Sequence, residues 1–339
     1  METPASTSSA WCSPASRART PSASRGRSPT RPTAARNPCS CPGSSPARSP
    51  PTAWLCWPDV ASGCSPSRPA WSPRPPPSFP RRTSGVLVSD TEDLRALVAL
   101  SCRILAATGC VREITGHVST RVPGTDRILV RCRPPQDPGV RFTVTDDIHL
   151  VGLDATNADL PDGYALPGEW PIHTELYRRR PDVGSVVHGH PEASLKCGIL
   201  GLPMEPVIGA YDPGAMELAV RGVPTYPRAV LISDRQLGGE VADTMDTADA
   251  CLLRGHGVVA VGADLQQATV RAIKLETLAE LTLSLHSVPG AQAQALSEED
   301  IAEVSGFVNS RNAAKTYAHW TWDYYRHTLG DAADVTRRG

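Results

Sequence analysis

One short segment near the middle of the 339-residue chain guides the interpretation of the rest: residues 180–191, with the sequence RPDVGSVVHGHP. Val183 to His188 is a mostly apolar run, which predicts a buried β-strand. Side chains two residues apart on a strand point to the same side, so His188 and His190 face one way at the end of this strand. Two imidazoles in that arrangement can bind the same ion.

A third histidine, His256, lies between Gly255 and Gly257 in a predicted turn between two short apolar strands, residues 250–253 and 258–261. Flanking glycines allow the backbone to come close to a ligand. Three neutral imidazoles suit Zn²⁺, and also Mn²⁺, Fe²⁺ or Co²⁺, and leave a position open for a substrate. Taken singly, each histidine is more often an ordinary core or surface residue, so the pattern needs further support.

The sequence from residue 86 onward predicts one folded domain, residues 86–339, in which helices and strands alternate in mixed order. We expect a three-layer α/β/α domain with a central, mostly antiparallel sheet. The predicted elements are a helix over Ser89–Gly109, a hairpin of His117–Val122 and Arg127–Cys132, a strand over Phe142–Leu153, and a helix that starts at Glu169. They end with a long helix capped by Asp264, which carries a narrow stripe of mostly small side chains at Ala268, Ala272, Leu275 and Ala279.

Residues 1–85 have a different composition and are predicted to be a disordered leader. They hold 18 of the 33 prolines and 11 arginines, against only Glu2 and Asp59 as acidic residues. Such a stretch cannot bury enough apolar surface to offset the entropy of ordering it. The same composition is expected of a translation start placed too early or out of frame, and we favour that interpretation.

The charge and cysteine content of the folded part exclude several classes of protein. From residue 86 onward 23 Lys and Arg face 33 Asp and Glu, so an acidic body argues against nucleic acid as a partner. Its five cysteines form no CxxC pair, and they are interpreted as small buried side chains in a reducing compartment. No run approaches the roughly 20 apolar residues of a membrane span. The expected location is the cytoplasm.

Three sequence blocks together resemble the class II aldolase and adducin family: Glu169–His173, Arg180–Pro191 and Leu253–Gly257. Their order and spacing agree with the family, and the similarity runs from about Asp93 to His286. The resemblance implies a class II aldolase-like fold, one divalent metal ion per subunit, with zinc as the first choice, and a small-molecule substrate. It also implies a homotetramer with active sites at the subunit interfaces.

The resemblance assigns roles to four residues. His188, His190 and His256 are the implied metal ligands, and Glu169 is the implied catalytic carboxylate, which ligates the metal before substrate binds or carries a proton afterwards. A divalent ion that binds two substrate oxygens stabilises the negative charge left when a carbon–carbon bond breaks. The plain alternative for Glu169 is a carboxylate favoured by a helix N-terminus.

Other positions depart from the sugar-phosphate members of the family. Their phosphate-binding Gly-Asn-x-Ser turn is Gly116–Ser119 here, with His117 in place of Asn, and their serine pair is replaced by Leu166–Gly168. These departures resemble the branch that acts on unphosphorylated acids, including decarboxylases of hydroxylated aromatic dicarboxylates. The candidate substrate-binding residues are His117, Ser119, Arg121, Arg254 and Tyr211, the last as the nearest substitute for an aldolase tyrosine.

The leading hypothesis is a metal-dependent carbon–carbon lyase that cleaves or decarboxylates a small, unphosphorylated hydroxy, oxo or hydroxylated aromatic acid. The alternative from another class is a non-haem iron oxygenase on the same fold. A metal-free, adducin-like binding scaffold is disfavoured because the three histidines and Glu169 are intact. The aromatic-rich segment Tyr317–Arg326 is expected to cover the core or a subunit contact, and the resemblance allows one of its residues to enter a neighbouring subunit's site.

We predict that the leader is dispensable. A truncated protein that starts at Val86 should keep the melting temperature and the metal content of the full chain, since the leader contributes no predicted packing. Calorimetry and metal analysis of the two proteins check this. Insoluble or metal-free truncated protein would place the domain boundary elsewhere.

Overall fold

The computed structural model describes residues 88–290, 292–310 and 313–338, so the predicted leader lies outside the described residues and its boundary stays a prediction. The described helices are α1 Val88–Ala107, α2 Trp170–Arg179, α3 Glu192–Leu200, α4 Pro213–Arg221, α5 Arg235–Met245, α6 Leu265–His286, α7 Glu298–Ser310 and α8 Ala313–Thr328. The strands are β1 His117–Arg121, β2 Ile128–Arg131, β3 Ile148–Val151, β4 Ser185–Gly189, β5 Thr225–Tyr226, β6 Ala250–Leu253 and β7 Gly257–Gly262. No helix in these ranges is long and apolar enough to cross a membrane.

The seven strands form one sheet in the order β3-β2-β1-β4-β7-β6-β5. Every neighbouring pair is antiparallel except β5 and β6, which are parallel. The mostly antiparallel sheet is therefore confirmed. Two pairings matter for the site, because β4 lies between β1 and β7 and brings His188 opposite His117 on one side and Val259 on the other.

Helices cover both faces of the sheet, which confirms the three-layer α/β/α fold. Val187 on β4 points into a core that α1, α3, α4, α6 and α8 complete. Its neighbour Val186 points to the other face, into a second core completed by α2 and α5. Because side chains alternate along a strand, His188 shares the face of Val186 and therefore lies beneath α2.

Helix α6 packs closely on the sheet, as its stripe of small residues predicts. Ala268, Ala272, Leu275 and Ala279 are all buried. The helix begins where predicted, because the Asp264 side chain accepts a hydrogen bond of 2.9 Å from the Gln267 N–H.

The hairpin of β1 and β2 and the first helix also agree with the sequence, but the strand predicted over Phe142–Leu153 is wrong in its first half. Two short 3₁₀ turns occupy residues 140–142 and 145–147, and only Ile148–Val151 forms a strand. The Asp147 carboxylate accepts the Val144 N–H at 3.0 Å, and the Thr143 hydroxyl donates to the Val140 carbonyl at 2.8 Å. These local bonds compete with the ladder of a sheet.

Candidate metal centre

Strand β4 carries the first histidine of the site, His188, and the second, His190, directly follows the strand. His188 is fully buried, and its Nδ1 donates a hydrogen bond of 2.9 Å to the Val258 carbonyl of β7. This leaves Nε2 of His188 directed away from the sheet backbone. His190 follows the end of the strand, where its backbone N–H donates to the Cys110 carbonyl, and its Nε2 lies 2.9 Å from Nε2 of His188.

Two other elements complete the cluster. His256, in the turn between β6 and β7, places its ring centroid 5.0 Å from that of His188 and 5.1 Å from that of His190. Glu169 comes from the start of α2, and its Oε2 lies 3.3 Å from Nε2 of His188 and 3.2 Å from Nε2 of His256. One atom from each of these four residues lies within 4.8 Å of all the others. The structure thus brings together all four residues that the resemblance selects.

Glu169 does not act as a helix cap, although it occupies the cap position of α2. Its side chain makes no hydrogen bond to the first turn of the helix. Instead Oε1 accepts the Ile232 N–H at 2.9 Å while Oε2 faces the histidines. Its contacts are therefore with the histidines and the Ile232 N–H, and its position at the helix N-terminus, which the dipole favours, is compatible with them.

The glycines around the histidines are required by close backbone approach. A Cβ atom on Gly257 would lie 2.2 Å from the Gly189 carbonyl oxygen and 2.7 Å from Cδ2 of His190. A Cβ on Gly189 would lie 2.6 Å from the Cys110 carbonyl oxygen. Gly255 adopts a positive φ of 64°, which favours glycine. These contacts explain the Gly-His-Gly pattern around His256 and bring its turn against His190.

The donor set fits a divalent cation. A neutral imidazole that donates from Nδ1, as His188 does, carries a lone pair on Nε2. That lone pair faces another imidazole nitrogen and a carboxylate, and the three groups repel one another unless a cation or a proton lies among them. Three imidazoles and one carboxylate are a donor set that Zn²⁺ and related divalent ions accept.

Burial keeps His190 neutral, which is the form of imidazole that binds metal. Burial and the neighbouring His188 and His256 lower the pKa of His190 to about 4. Burial by itself would raise the pKa of Glu169, but hydrogen bonds and charge interactions with His188 and His256 outweigh it and hold the pKa well below its ordinary value. Glu169 is therefore an ionised carboxylate at neutral pH.

A second group of polar residues lies behind the ligands, on the face of β1 that α2 covers. The His117 ring is 4.8 Å from that of His188, and its Nδ1 lies 2.6 Å from Nε2 of His173. The other nitrogen of His173, Nδ1, lies 2.6 Å from the Ser119 hydroxyl, which is 2.8 Å from the Tyr177 hydroxyl. The sequence interpretation selected His117 and Ser119 but missed His173 and Tyr177.

A sequence signal for the missed residues exists. Glu169, His173 and Tyr177 are spaced by four residues, so they lie on one face of α2. Burial, followed by the effect of His188, lowers the pKa of His173 to about 3, and the Trp170 ring stacks on it at a centroid distance of 5.6 Å.

The remaining candidate substrate-binding residues are not joined to the ligand cluster by any contact in the described ranges. Arg121 is four residues from His117, about 13 Å along the strand. Its guanidinium donates to the carbonyls of Val183 and Tyr177 and lies 4.6 Å from the centre of the Tyr177 ring. Tyr211 is 78% exposed in the loop before α4. Arg254 is exposed on the turn that carries His256.

These observations define a candidate divalent-metal centre on a three-layer α/β/α fold. The family model described as Class II Aldolase and Adducin N-terminal domain matches residues 96–283. The chain therefore belongs to the class II aldolase and adducin family.

Relatives and solved structures agree with this membership. A 3,4-dihydroxyphthalate decarboxylase from Arthrobacter keyseri is 42% identical over 228 residues, covering 66% of this chain and 91% of that protein. Another from Rhodococcus jostii is 42% identical over 251 residues, covering 73% and 99%. The structure of L-fuculose 1-phosphate aldolase from Glaciozyma antarctica superposes with a TM-score of 0.60 at 19% identity, covering 75% of this chain and 96% of that one, which shows the shared fold. Since these relatives are enzymes, the chain is that of an enzyme.

We predict different effects for the ligands and the carboxylate. His188→Ala, His190→Ala and His256→Ala should each remove most of the bound metal, because each takes away one of three imidazole ligands. Glu169→Gln should keep the metal and lose turnover, because an amide cannot accept a proton in place of a carboxylate. Metal analysis of the purified variants and turnover assays check both statements.

The controls are His149→Ala, which removes a histidine that contacts Tyr164 outside the cluster, and Glu192→Gln, which changes an exposed carboxylate two residues after His190. Both should keep metal and turnover. Near-normal turnover of Glu169→Gln would move the proton-transfer role to another group.

We also predict that Gly257→Ala weakens metal binding about tenfold or more, an effect of the size seen when groups that orient metal ligands are removed. The added methyl group must push the turn away from Gly189 and His190. Zinc titration with a competing chelator measures the affinity, and the melting temperature reports any loss of fold. Gly152→Ala, where no atom lies within 4 Å of the added methyl, is the control. Unchanged affinity and melting temperature in Gly257→Ala would contradict the close approach.

Proposed function

We propose that this protein is a divalent-metal-dependent decarboxylase that acts on a small hydroxylated aromatic acid. The observation that carries the proposal is the similarity to the dihydroxyphthalate decarboxylases over nearly their whole length. The cluster of Glu169 and three histidines supports the metal dependence, because it supplies the donor set that such chemistry uses.

Decarboxylation of an aromatic acid requires that negative charge be stabilised while carbon dioxide leaves. A bound divalent ion supplies a Lewis acid for this step by withdrawing electron density from the oxygens of the substrate. The protein's own contribution begins with His188, whose Nδ1–H bond to the Val258 carbonyl fixes the ring orientation and directs Nε2 to the cluster. His190 and His256 supply the other two imidazoles.

Glu169 is proposed to move the proton that the reaction requires. Because it is ionised, it can accept a proton from a hydroxyl group of the substrate and return it to the ring carbon that carbon dioxide leaves. The ring carbon keeps the electron pair of the broken bond and takes this proton as carbon dioxide leaves, so the product is released as a phenolate that regains a proton from water. The Ile232 N–H, which Oε1 accepts, holds the carboxylate in position.

The residues near the centre favour an acid over a sugar phosphate. A phosphate dianion needs several converging N–H or O–H donors. Before Glu169 the chain has Leu166–Gly168, where Pro167 removes one backbone donor. The buried imidazole of His117 occupies the position beside His188. A planar, hydroxylated acid with one or two carboxylates needs fewer converging hydrogen-bond donors.

The iron oxygenase remains the alternative from another enzyme class, because three histidines also hold Fe²⁺. The two functions differ in their use of dioxygen, which decarboxylation does not require. The preference for zinc, the homotetramer and the cytoplasmic location are further proposals, and metal analysis, the molecular mass in solution and cell fractionation test them in turn.

The substrate class is tested by carbon dioxide release from a panel of dihydroxylated benzoic and phthalic acids, in air and under argon. We expect saturable release from at least one of them, equal with and without dioxygen, and loss of release after chelation of the metal. Fuculose 1-phosphate and ribulose 5-phosphate should be poor substrates. Their turnover at a kcat/KM of roughly 10⁴ M⁻¹s⁻¹ or more would overturn the proposal, and release that needs dioxygen would favour the oxygenase.

A further inference from the structure

Four buried side chains form a continuous hydrogen-bonded chain, here called the His117 relay: His117, His173, Ser119 and Tyr177. It runs from His117 Nδ1 to His173 Nε2 at 2.6 Å, from His173 Nδ1 to the Ser119 hydroxyl at 2.6 Å, and from there to the Tyr177 hydroxyl at 2.8 Å. None of these residues belongs to the cluster of four ligands. At least 94% of the surface of every member is buried, so water does not replace these bonds.

The relay begins beside the metal centre and ends in the core. At one end the His117 ring lies 4.8 Å from the His188 ring, and its Nδ1 is engaged by His173, which leaves Nε2 on the opposite edge of the ring. At the other end the Tyr177 ring is covered by the guanidinium of Arg121. The direction of the hydrogen bond at Tyr177 therefore determines which nitrogen of His117, at the edge of the metal centre, carries the proton.

Each hydrogen bond of the relay contains one proton, so all of its bonds must donate in the same direction along the chain. An imidazole that accepts at one nitrogen donates at the other in its neutral form, and the single proton of the Ser119 hydroxyl can go to only one of its two partners. The direction is decided at the end of the chain, between two hydroxyls. A phenol is the more acidic of the two and the better donor, so Tyr177 donates to Ser119.

The rest follows from this first bond. Ser119 then donates to Nδ1 of His173, and Nε2–H of His173 donates to Nδ1 of His117. His117 is left with its own proton on Nε2, the nitrogen on the edge that His173 does not contact.

We infer that Tyr177, Ser119 and His173 are positioning residues that hold His117 in the Nε2–H tautomer, so that His117 donates a hydrogen bond to the anionic group of the substrate at the metal centre. The identity of that substrate rests on the proposed function, whereas the tautomer does not. With the opposite polarity His117 would present a lone pair, which repels a carboxylate or a phenolate.

The tautomer can be read directly by ¹⁵N NMR of the zinc-loaded full-length protein labelled at histidine, because the two ring nitrogens resonate far apart according to which one carries the proton. His117→Gln identifies the His117 signals by their loss. We expect the proton on Nε2 in the unmodified protein, and a mixture of tautomers or a shift to Nδ1–H in Ser119→Ala and Tyr177→Phe. Ser119→Thr, which keeps a hydroxyl, should restore the original tautomer.

Matched controls remove similar hydroxyls elsewhere. Ser185→Ala deletes a buried hydroxyl on the neighbouring strand that bonds to Thr120 on the other face of the sheet. Tyr226→Phe deletes a buried phenol that donates to Glu240. Neither should change the His117 signals. A proton on Nδ1 of His117 in the unmodified protein would overturn the inference, and so would an Nε2–H ring that neither Ser119→Ala nor Tyr177→Phe alters.

Kinetics with a substrate found in the panel extend the test to function. Ser119→Ala and Tyr177→Phe should raise KM about tenfold at unchanged metal content, the size expected for one lost hydrogen bond to a charged group. The amide N–H of a glutamine at position 117 can donate without the relay. In the His117→Gln variant, Tyr177→Phe should therefore have little further effect on KM. An equal effect of Tyr177→Phe in both backgrounds would contradict the inference. If no substrate is turned over, the proposed function fails while the NMR result still decides the tautomer.

Discussion

The close approach of the end of β4 to the start of β7 is the constraint on which the candidate metal centre depends. The two strands come so near that a methyl group on Gly257 would overlap the Gly189 carbonyl and the His190 ring. Because of this approach, the Val258 carbonyl of β7 accepts the Nδ1–H of His188. The turn that precedes β7 places His256 beside the other two histidines. Three imidazoles are thus fixed by one backbone contact and one hydrogen bond, before any metal contributes.

The third layer of the fold supplies what the strands cannot. Helix α2 crosses the face of the sheet that carries His188, and its repeat of four residues lines up Glu169, His173 and Tyr177. The first of these meets the ligands, and the other two continue into the core through Ser119. A single helix face therefore contributes both the carboxylate of the centre and the polar groups behind it. The Glu169, His173 and Tyr177 side chains all have hydrogen-bond partners, which explains how a buried, largely apolar layer accommodates them.

The exposed aromatic residues of α8 have a different position in the fold. Trp322 is buried against the core, as expected for part of the segment Tyr317–Arg326, whereas Trp320 and Tyr324 are 65% and 63% exposed. Their spacing of four residues places both on one side of the helix. The burial of Trp322 agrees with the expectation that rings of this segment cover the core, and a subunit contact at Trp320 and Tyr324 stays a prediction that the molecular mass in solution tests.

Local patterns in the sequence determined much of the fold, and the resemblance of three sequence blocks to a family selected the candidate ligands. The apolar run of Val183–His188 predicted β4, and the period of two along a strand predicted the side shared by His188 and His190. Flanking glycines predicted the turn at His256, and Asp264 predicted the start of α6. Each of these depends on neighbours within a few residues. Only the tertiary structure decided the rest. It turned Glu169 from the helix terminus to the histidines, bound the Arg121 guanidinium to the Val183 and Tyr177 carbonyls, and replaced half of the Phe142–Leu153 strand with turns. It also joined His117 on β1 to His173 on α2, 56 residues apart in sequence. Such contacts depend on how strands and helices pack across the sheet, and patterns that extend over only a few residues carry no information about contacts between residues so far apart in sequence.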